Sequence, residues 1–554
     1  MAPATATETS RVDFQTHPDR YRHWKLAVDG DIATLTMDVQ PDGGQRPDYE
    51  LKLNSYDIGV DIELADAIQR LRFEHPEVRC CVLTGNLDRV FCAGANILML
   101  RTSSHSFKVN FCKFTNETRL GIEDASENSQ MRFLAALNGT ASGGGYELAL
   151  ACDKILLVDD RNSAVSFPEV PLLGVLPGTG GLTRITDKRK VRRDLNDVFS
   201  TVAEGVKGKR AVEWGFVDGI APLSKWEDSV GSMARELADT VEARGTQGIT
   251  LAPVEATVSD EGMLKKSYTY VEMSIESDGR TCELTITAPD SCPSDADGAF
   301  AEGSSWWALQ AFRELDDAIC DLRLNHGDVG LVLLRAKGSA DTIRTTDTLL
   351  AEGKHWFVRE TAGLVRRVLK RVDVTAKSIY AIIDEGTTFT GSFLELALAA
   401  DRTYVLNDPE TPVELGVTEA NGGMYPMAND MSRLATRFYG TPDAAQAVLS
   451  ETGKSFDAET ADELGLATFA PDEIDWEDEL RLAIEERVAF SPDALTGMEA
   501  SLRYPGPETM ETKIFGRLSA WQNWIFQRPN AVGPRGALQC YGTPQRPEFN
   551  IERT

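Results

Sequence analysis

Apolar and polar positions along the chain follow a pattern that repeats at long range. The segments 63–85 (ELADAIQRLRFEHPEVRCCVLTG) and 314–336 (ELDDAICDLRLNHGDVGLVLLRA) both predict an amphipathic helix, a polar turn and an apolar strand. The segments 133–158 and 379–406 both predict a strand, a glycine-rich turn, a helix and a second strand. Because the two matching pairs occur in the same order, the sequence indicates a duplicated α/β domain.

Each copy opens with a segment of β pattern, 25–39 in the first copy and 270–287 in the second. Strands separated by helices favour crossover connections and a mostly parallel sheet. We place the first domain at 1–262, the second at 263–484, and a helical C-terminal region at 485–554. The last of these ends in a tail rich in Pro, Gly and aromatic residues, which we expect to pack on a domain or partner.

The composition narrows the possible partners. The chain has 554 residues with 57 Lys and Arg against 86 Asp and Glu, a net charge of −29, which disfavours binding to nucleic acid or to an anionic membrane. Nine cysteines are scattered without a metal-binding cluster, so we expect free thiols and no metal. There is no secretory signal and no apolar run long enough to span a bilayer, so we expect a cytoplasmic protein.

Three segments of the first copy carry candidate chemistry. Phe91–Ile97 (FCAGANI) is a small-residue loop after a predicted strand, where backbone N–H groups can meet a ligand oxygen. Asn138–Leu148 (NGTASGGGYEL) places three glycines before a helix whose first N–H groups lack internal partners. Ser166–Gly181 holds Glu169 beside a proline and ends in a glycine-rich turn. Each segment alone also fits an ordinary turn or a surface carboxylate.

Taken together, the motifs C-A-G-A-N, N-G-x-x-x-G-G-G-x-E-L and F-P-E-x-x-L-L-G-V-L-P-G-x-G-G resemble the enoyl-CoA hydratase/isomerase (crotonase) superfamily. The resemblance is strong over 25–250 and weak over the second copy. It implies tandem α/β domains of the ββα spiral type and a CoA thioester substrate. It implies a thioester oxyanion hole at the N–H groups of Ala95 and Gly144, and acid/base roles for Glu147 and Glu169.

The resemblance also implies a CoA-binding surface near the first loop, formed by Ala93, Ala95, Asn96 and Ile97. Asn96 stands where the superfamily usually has Asp. Lys52 is a candidate contact for a CoA phosphate, although a solvated lysine is an equally good interpretation.

The second copy is predicted to be degenerate. Glu395 matches Glu147, but we align Thr390–Ser392 with Gly143–Gly145 and count one extra residue in the turn. No Pro-Glu pair matches Glu169. We expect this domain to lack catalysis and to replace the neighbouring subunit on which single-domain relatives pack.

The stretch 98–132 and the tail resemble a ring-cleaving branch of the superfamily, which implies hydrolytic cleavage of 2,3-epoxybenzoyl-CoA with release of formate. This branch implies a functional cysteine at Cys112, although a buried structural thiol is the alternative. We expect no metal or redox cofactor. We expect the protein to form a homodimer. Two other functions stay open at this point: another crotonase-type enzyme such as an enoyl-CoA hydratase, and a non-catalytic acyl-CoA-binding scaffold.

Overall fold

The computed structural model describes residues 11–260, 262–411 and 413–554. Residues 1–10 and Glu261 of the first predicted domain, and Pro412 of the second, lie outside the described residues. The chain divides into two compact units, one ending at Pro253 and the other beginning at Val254. Within the described residues, no helix is long and apolar enough to cross a membrane.

The first unit contains a six-stranded sheet in the order β1-β2-β3-β5-β7-β9 and a three-stranded sheet in the order β4-β6-β8. The strands are β1 Trp24–Asp29, β2 Ile32–Met37, β3 Cys80–Gly85, β4 Arg89–Cys92, β5 Arg132–Leu137, β6 Gly139–Ser142, β7 Lys154–Val158, β8 Val165–Ser166 and β9 Gly219–Ala221. The helices are α1 Ile58–Phe73, α2 Ile97–Thr102, α3 His105–Asn128, α4 Gly144–Ala151, α5 Gly181–Thr183, α6 Arg193–Thr201, α7 Gly208–Glu213 and α8 Trp226–Ala238.

The large sheet is parallel from β2 onward, and β1 pairs antiparallel with β2. Strand β2 alternates half-buried with buried residues, as expected of a strand with one face on the core. One face of the sheet packs on α8, where Leu134, Ala136 and Leu156 share a cluster with Leu237 and Ala238. The predicted α/β class with parallel strands is therefore confirmed for this unit.

The small sheet positions the three sequence motifs. Strand β4 leads into the 93–97 loop, β6 leads into the three glycines, and β8 leads into the segment of Glu169. The three strands pair in parallel. Because parallel strands end at the same edge of a sheet, the motifs meet there although they are far apart in sequence.

The second unit repeats this plan with a seven-stranded sheet, β10-β11-β12-β13-β14-β15-β17, and a small sheet, β16-β18-β19. The strands are β10 Thr257–Asp260, β11 Leu264–Ser267, β12 Val271–Ile275, β13 Thr281–Ala288, β14 Leu331–Gly338, β15 Ser378–Ile383, β16 Thr388–Thr390, β17 Arg402–Val405, β18 Glu414–Gly416 and β19 Ser455–Phe456. The helices are α9 Ala296–Glu302, α10 Trp307–Asn325, α11 Ala340–Glu352, α12 Trp356–Val374, α13 Ser392–Ala399, α14 Arg433–Arg437, α15 Pro442–Ser450, α16 Ala458–Glu463, α17 Trp476–Ala489, α18 Pro492–Leu502, α19 Met510–Lys513, α20 Ser519–Ile525, α21 Pro529–Val532 and α22 Ala537–Cys540.

Strand pairing and helix packing show where the second α/β unit begins and how far its helical layer extends. The boundary that we placed at 262 falls between β10 and β11, which pair with each other and continue through β12 into the second sheet. The boundary that we placed at 484 falls inside α17. Residues Trp476, Leu480 and Ile484 of that helix cover Leu333 and Tyr380 of the second sheet, much as α8 covers the first. Helix α17 is therefore part of the second α/β layer.

Candidate active site in the first unit

Two backbone amides face the edge where the three motifs meet. Gly94 has φ +87°, and a methyl group on its Cα would lie 2.9 Å from the amide nitrogen of Gly144. Ala95 pairs with Tyr56 through hydrogen bonds from Tyr56 N to Gly94 O (3.0 Å) and from Asn96 N to Tyr56 O (2.8 Å). This parallel pairing uses neither Ala95 N–H nor Gly144 N–H, and neither amide donates to another group of the described chain. The two predicted oxyanion-hole residues are thus brought together.

Glu147 is a buried carboxylate that three donors hold in place. It lies in the first turn of α4, where the helix dipole favours a negative charge. Its Oε1 accepts hydrogen bonds from the backbone N–H groups of Thr179 (3.0 Å) and Gly181 (2.7 Å), and the Thr179 hydroxyl donates to Oε2. The carboxylate therefore has a fixed orientation.

The loop that holds Glu147 is itself anchored by an ion cluster. Arg184 donates to Thr179 O (2.9 Å) and forms a two-point pair with Glu123 of α3, 2.9 Å at each contact. Lys188 donates to the same glutamate at 3.0 Å, and these cations lower the pKa of Glu123 despite its burial. Sequence reasoning named the PGTGG segment but gave Thr179, Arg184 and Glu123 no role. Glu123 and Arg184 are far apart in sequence, so spacing offered no signal for their pairing.

Glu169 lies on the same edge in a different environment. Gly143 has φ +53°, and Oε1 of Glu169 rests against the place where a side chain at 143 would be. Oε2 of Glu169 is buried and accepts no hydrogen bond from the described residues. Burial raises the pKa of Glu169 to about 7, and the charge of Glu147 adds to the rise. The two carboxyl groups thus differ in their surroundings: hydrogen-bond donors hold both oxygens of Glu147, whereas Glu169 has a pKa near neutrality that suits proton exchange.

Cys112 faces the same loop from α3. Its sulfur lies against Gly178, and a methyl group there would be 3.6 Å from Sγ. Asn116, one turn further along α3, donates to Gly178 O at 3.1 Å and joins the helix to the loop. Burial, then the charges of Glu147 and Asp61, raise the pKa of Cys112 to about 11. At neutral pH the group is a thiol, which makes it a weak donor or an apolar wall rather than a nucleophile.

The predicted CoA-binding residues form the outer side of the first loop. Ala93 and Ile97 are exposed, and Ala95 is half-buried. Ala93 N donates to Leu53 O at 3.1 Å, which places the segment of Lys52 beside the loop. Lys52 is exposed and pairs with Glu50 at 2.8 Å, so part of its charge is already compensated.

Asn96 has a structural task in this loop. Its side chain caps α2 by accepting from Met99 N (2.9 Å) and donates to Glu50 O (2.7 Å) and Ser55 Oγ (3.2 Å). A carboxylate could not make the two donations, which explains the departure from the usual Asp. The buried side chain is therefore used within the loop, and its contact with CoA stays a prediction.

The second unit keeps the backbone conformation of the glycine turn, but its own side chains hydrogen-bond to the groups at that turn. Gly391 (φ 53°, ψ −116°) reproduces Gly143 (φ 53°, ψ −127°), and each precedes an eight-residue helix. Gly391 thus corresponds to Gly143 and Ser392 to Gly144, so our sequence alignment of this turn was wrong by one residue.

In the second unit, side chains of the protein hydrogen-bond to the turn amide, whose counterpart is open in the first unit, and to the carboxylate of Glu395. Ser392 N donates to Oδ2 of the buried Asp347 at 2.8 Å. Glu395 accepts from Arg433 (2.9 Å) and from Asn421 (2.8 Å). Glu419, which follows β18 as Glu169 follows β8, is exposed. The unit therefore offers neither an open amide at this turn nor an unpaired carboxylate there.

A two-sheet α/β unit that brings two loop amides and two carboxyl groups to one edge resembles the acyl-CoA enzymes of the crotonase type. The enoyl-CoA hydratase/isomerase family model matches residues 46–252. The chain belongs to this family. It is 54% identical over 556 residues, 100% of both chains, to a benzoyl-CoA-dihydrodiol lyase from Aromatoleum evansii.

More distant relatives match a smaller part of the chain. A carnitinyl-CoA dehydratase from Proteus mirabilis is 30% identical over 216 residues, which are 39% of this chain and 73% of that protein. Among solved structures, an enoyl-CoA hydratase from Geobacillus kaustophilus is 30% identical with a TM-score of 0.35 and covers 40% of this chain and 75% of its own.

Proposed function

We propose that the protein cleaves the ring of 2,3-epoxybenzoyl-CoA with two water molecules, giving 3,4-didehydroadipyl-CoA semialdehyde and formate. The observation that carries the proposal is the identity of 54% over the full length to a benzoyl-CoA-dihydrodiol lyase, in a chain whose first unit unites both amides and both carboxyl groups. The family's preference for CoA thioesters agrees with the open loop at Ala93 and Ile97.

The reaction balances without an added oxidant or reductant. The seven-carbon acyl group loses ring carbon C2 as formate and keeps six carbons. Cleavage of C1–C2 leaves the electron pair on C1, the carbon α to the thioester, and the product of that step is an enolate. Cleavage of C2–C3 frees the aldehyde at C3. The epoxide and the two waters supply the oxygens, so a metal or redox cofactor is not needed in this scheme.

The site residues suit these steps. The N–H groups of Ala95 and Gly144 stabilise the enolate oxygen, and one such donor contributes roughly 3–4 kcal/mol in other oxyanion holes. Glu147, held in a fixed orientation, orients and activates a water. Glu169, with a pKa of about 7, takes and returns protons. Cys112 stays protonated at neutral pH and lines the acyl group as a weak donor.

We also propose that the enzyme works in the cytoplasm as a homodimer without a bound metal. Dialysis against a strong chelator should leave turnover unchanged. Sedimentation of the full chain should give twice the mass of one chain, and a monomer at working concentration would contradict the dimer.

The deciding experiment is incubation of the full chain with 2,3-epoxybenzoyl-CoA, with formate and the semialdehyde followed by mass spectrometry. We expect both products in equal amounts, and heavy-oxygen water should label them. Crotonyl-CoA is the control substrate. Reversible hydration of crotonyl-CoA without formate release from the epoxide would identify an ordinary hydratase, and binding of both thioesters without any turnover would identify a scaffold.

A further inference from the structure

Tyr56 joins the two halves of the candidate oxyanion hole, although no sequence motif singled it out. Its backbone pairs with Ala95, which supplies one of the two amides. Its hydroxyl lies against the Cα of Gly144, which supplies the other, and any side chain at 144 would overlap that hydroxyl. Tyr56 is 1% exposed. A single residue therefore touches both amide-bearing loops from the protein interior.

The ring of Tyr56 is held rigidly. The guanidinium of Arg119 stacks 5.3 Å from the ring centroid, and the ring of Phe111 lies 6.1 Å away. Arg119 is in turn fixed by a buried ion pair with Asp61, which also accepts from the Thr115 hydroxyl at 2.6 Å. Such support is what a preorganised donor requires, because its orientation is set before the ligand arrives.

The hydroxyl of Tyr56 is buried and has no hydrogen-bond partner among the described residues. The other two buried tyrosines of this unit differ: the Tyr49 hydroxyl donates to Asp57 (2.5 Å) and the Tyr146 hydroxyl donates to Phe216 O (2.7 Å). Nearly all buried polar groups in native proteins are paired, and an unpaired one is costly. An unpaired hydroxyl beside two open amides indicates that a ligand oxygen supplies its missing hydrogen-bond partner.

We propose that the Tyr56 hydroxyl is a third hydrogen-bond donor to the thioester carbonyl oxygen, acting together with the N–H groups of Ala95 and Gly144. The inference rests on the proposed function in one respect, namely that the ligand is an acyl-CoA thioester. Burial raises the pKa of Tyr56 far above its usual value, so the hydroxyl keeps its proton and acts as a donor rather than as an acid or base.

The test compares Tyr56→Phe with Tyr146→Phe. Removing an unpaired buried hydroxyl should leave the melting temperature unchanged or raise it, yet kcat should fall roughly 10- to 100-fold, with a much smaller change in KM. Tyr146→Phe removes a satisfied hydroxyl outside the site, so its melting temperature should fall while kcat/KM stays within about twofold. A melting temperature that falls as much in Tyr56→Phe, or an unchanged kcat, would overturn the inference.

A second readout needs no turnover. Benzoyl-CoA labelled with ¹³C at the thioester carbonyl is bound to each variant, and its C=O stretch is measured by difference infrared spectroscopy. We expect the stretch to move to higher wavenumber in Tyr56→Phe and to stay at the wild-type value in Tyr146→Phe. Binding with an unchanged stretch in Tyr56→Phe overturns the third donor alone, whereas absence of formate release from 2,3-epoxybenzoyl-CoA with the wild type overturns the proposed function as well.

Discussion

The turns before α4 and α13 have nearly the same backbone and opposite chemical states. In the first unit Gly143 and Gly144 leave an amide open and Glu169 lies above them; in the second, Asp347 accepts the amide of Ser392. Glu147 is held by hydrogen-bond donors without a cation, whereas Glu395 is paired with the buried Arg433. The difference teaches that the backbone turn alone does not make this kind of site. What matters is whether the protein's own side chains already hydrogen-bond to the amide and carboxyl groups at the turn.

The largest effect should separate the two glutamates of this comparison. Glu147→Gln should lower the rate of formate release about 10²- to 10⁴-fold, because it removes a carboxylate that we propose takes part in acid/base catalysis. Glu395→Gln is the matched substitution in the second unit and should change the rate by no more than about twofold. Initial rates with 2,3-epoxybenzoyl-CoA measure both, and circular dichroism checks the folds. Equal losses would mean that the second unit takes part in catalysis.

The next effect concerns stability. Arg433→Met leaves Asp373 and Glu395 buried without their cation, and such changes cost about 3–5 kcal/mol. Arg481→Met removes an exposed arginine that pairs with Glu485 at 2.9 Å and should cost less than about 1 kcal/mol. Thermal unfolding should show a far lower midpoint for Arg433→Met. Similar midpoints for the two variants would show that the buried cluster is not needed to neutralise the second unit.

A pH series should reveal the proton exchange assigned to Glu169. Its pKa is about 7 in the folded protein against 4.5 for an ordinary glutamate, so the folded state binds this proton more tightly. The wild type should therefore lose stability as pH rises from about 4.5 to about 7, by roughly 1–2 kcal/mol for a partly exposed group, and Glu169→Gln should not.

Turnover by the wild type should rise between about pH 6 and pH 8, because the base form of Glu169 accumulates around its pKa of about 7. Denaturant midpoints at pH 4 and pH 8 and the pH profile of kcat provide the two measurements. A profile that is flat between pH 6 and pH 8 would contradict the assignment.

The smallest effect tests how Glu147 is held. Thr179→Val removes one of the three donors to this carboxylate and should lower kcat roughly threefold to tenfold, in line with about 1 kcal/mol for one hydrogen bond. Thr418→Val is its counterpart, because the Thr418 hydroxyl donates to Asp347 at 3.0 Å, and it should leave kcat unchanged. If Thr418→Val were the slower enzyme, the roles assigned to the two units would be reversed.

The sequence predicted the duplicated architecture and the meeting of the three motifs, because strand periodicity and motif order are local properties. It could not predict how the second turn is filled. Asp347 comes from α11 and Arg433 from α14, and spacing does not show that they reach α13. The one-residue error at Gly391 arose because the two turns differ in length, and the backbone at the start of each helix shows which residues correspond. The roles proposed for Tyr56 and Thr179 depend on the positions of single hydroxyl groups in the fold, which apolar patterning does not encode.

The contact between Gly143 and Glu169 constrains how this enzyme can change over evolutionary time. Any β-carbon at 143 would displace the carboxyl group of a residue twenty-six positions away, so even alanine at that glycine should move the carboxyl group of Glu169 from its present position. A substitution at 143 is therefore expected to need a compensating change at 169. Paralogues that have lost this glycine would have to find a different base or a different reaction.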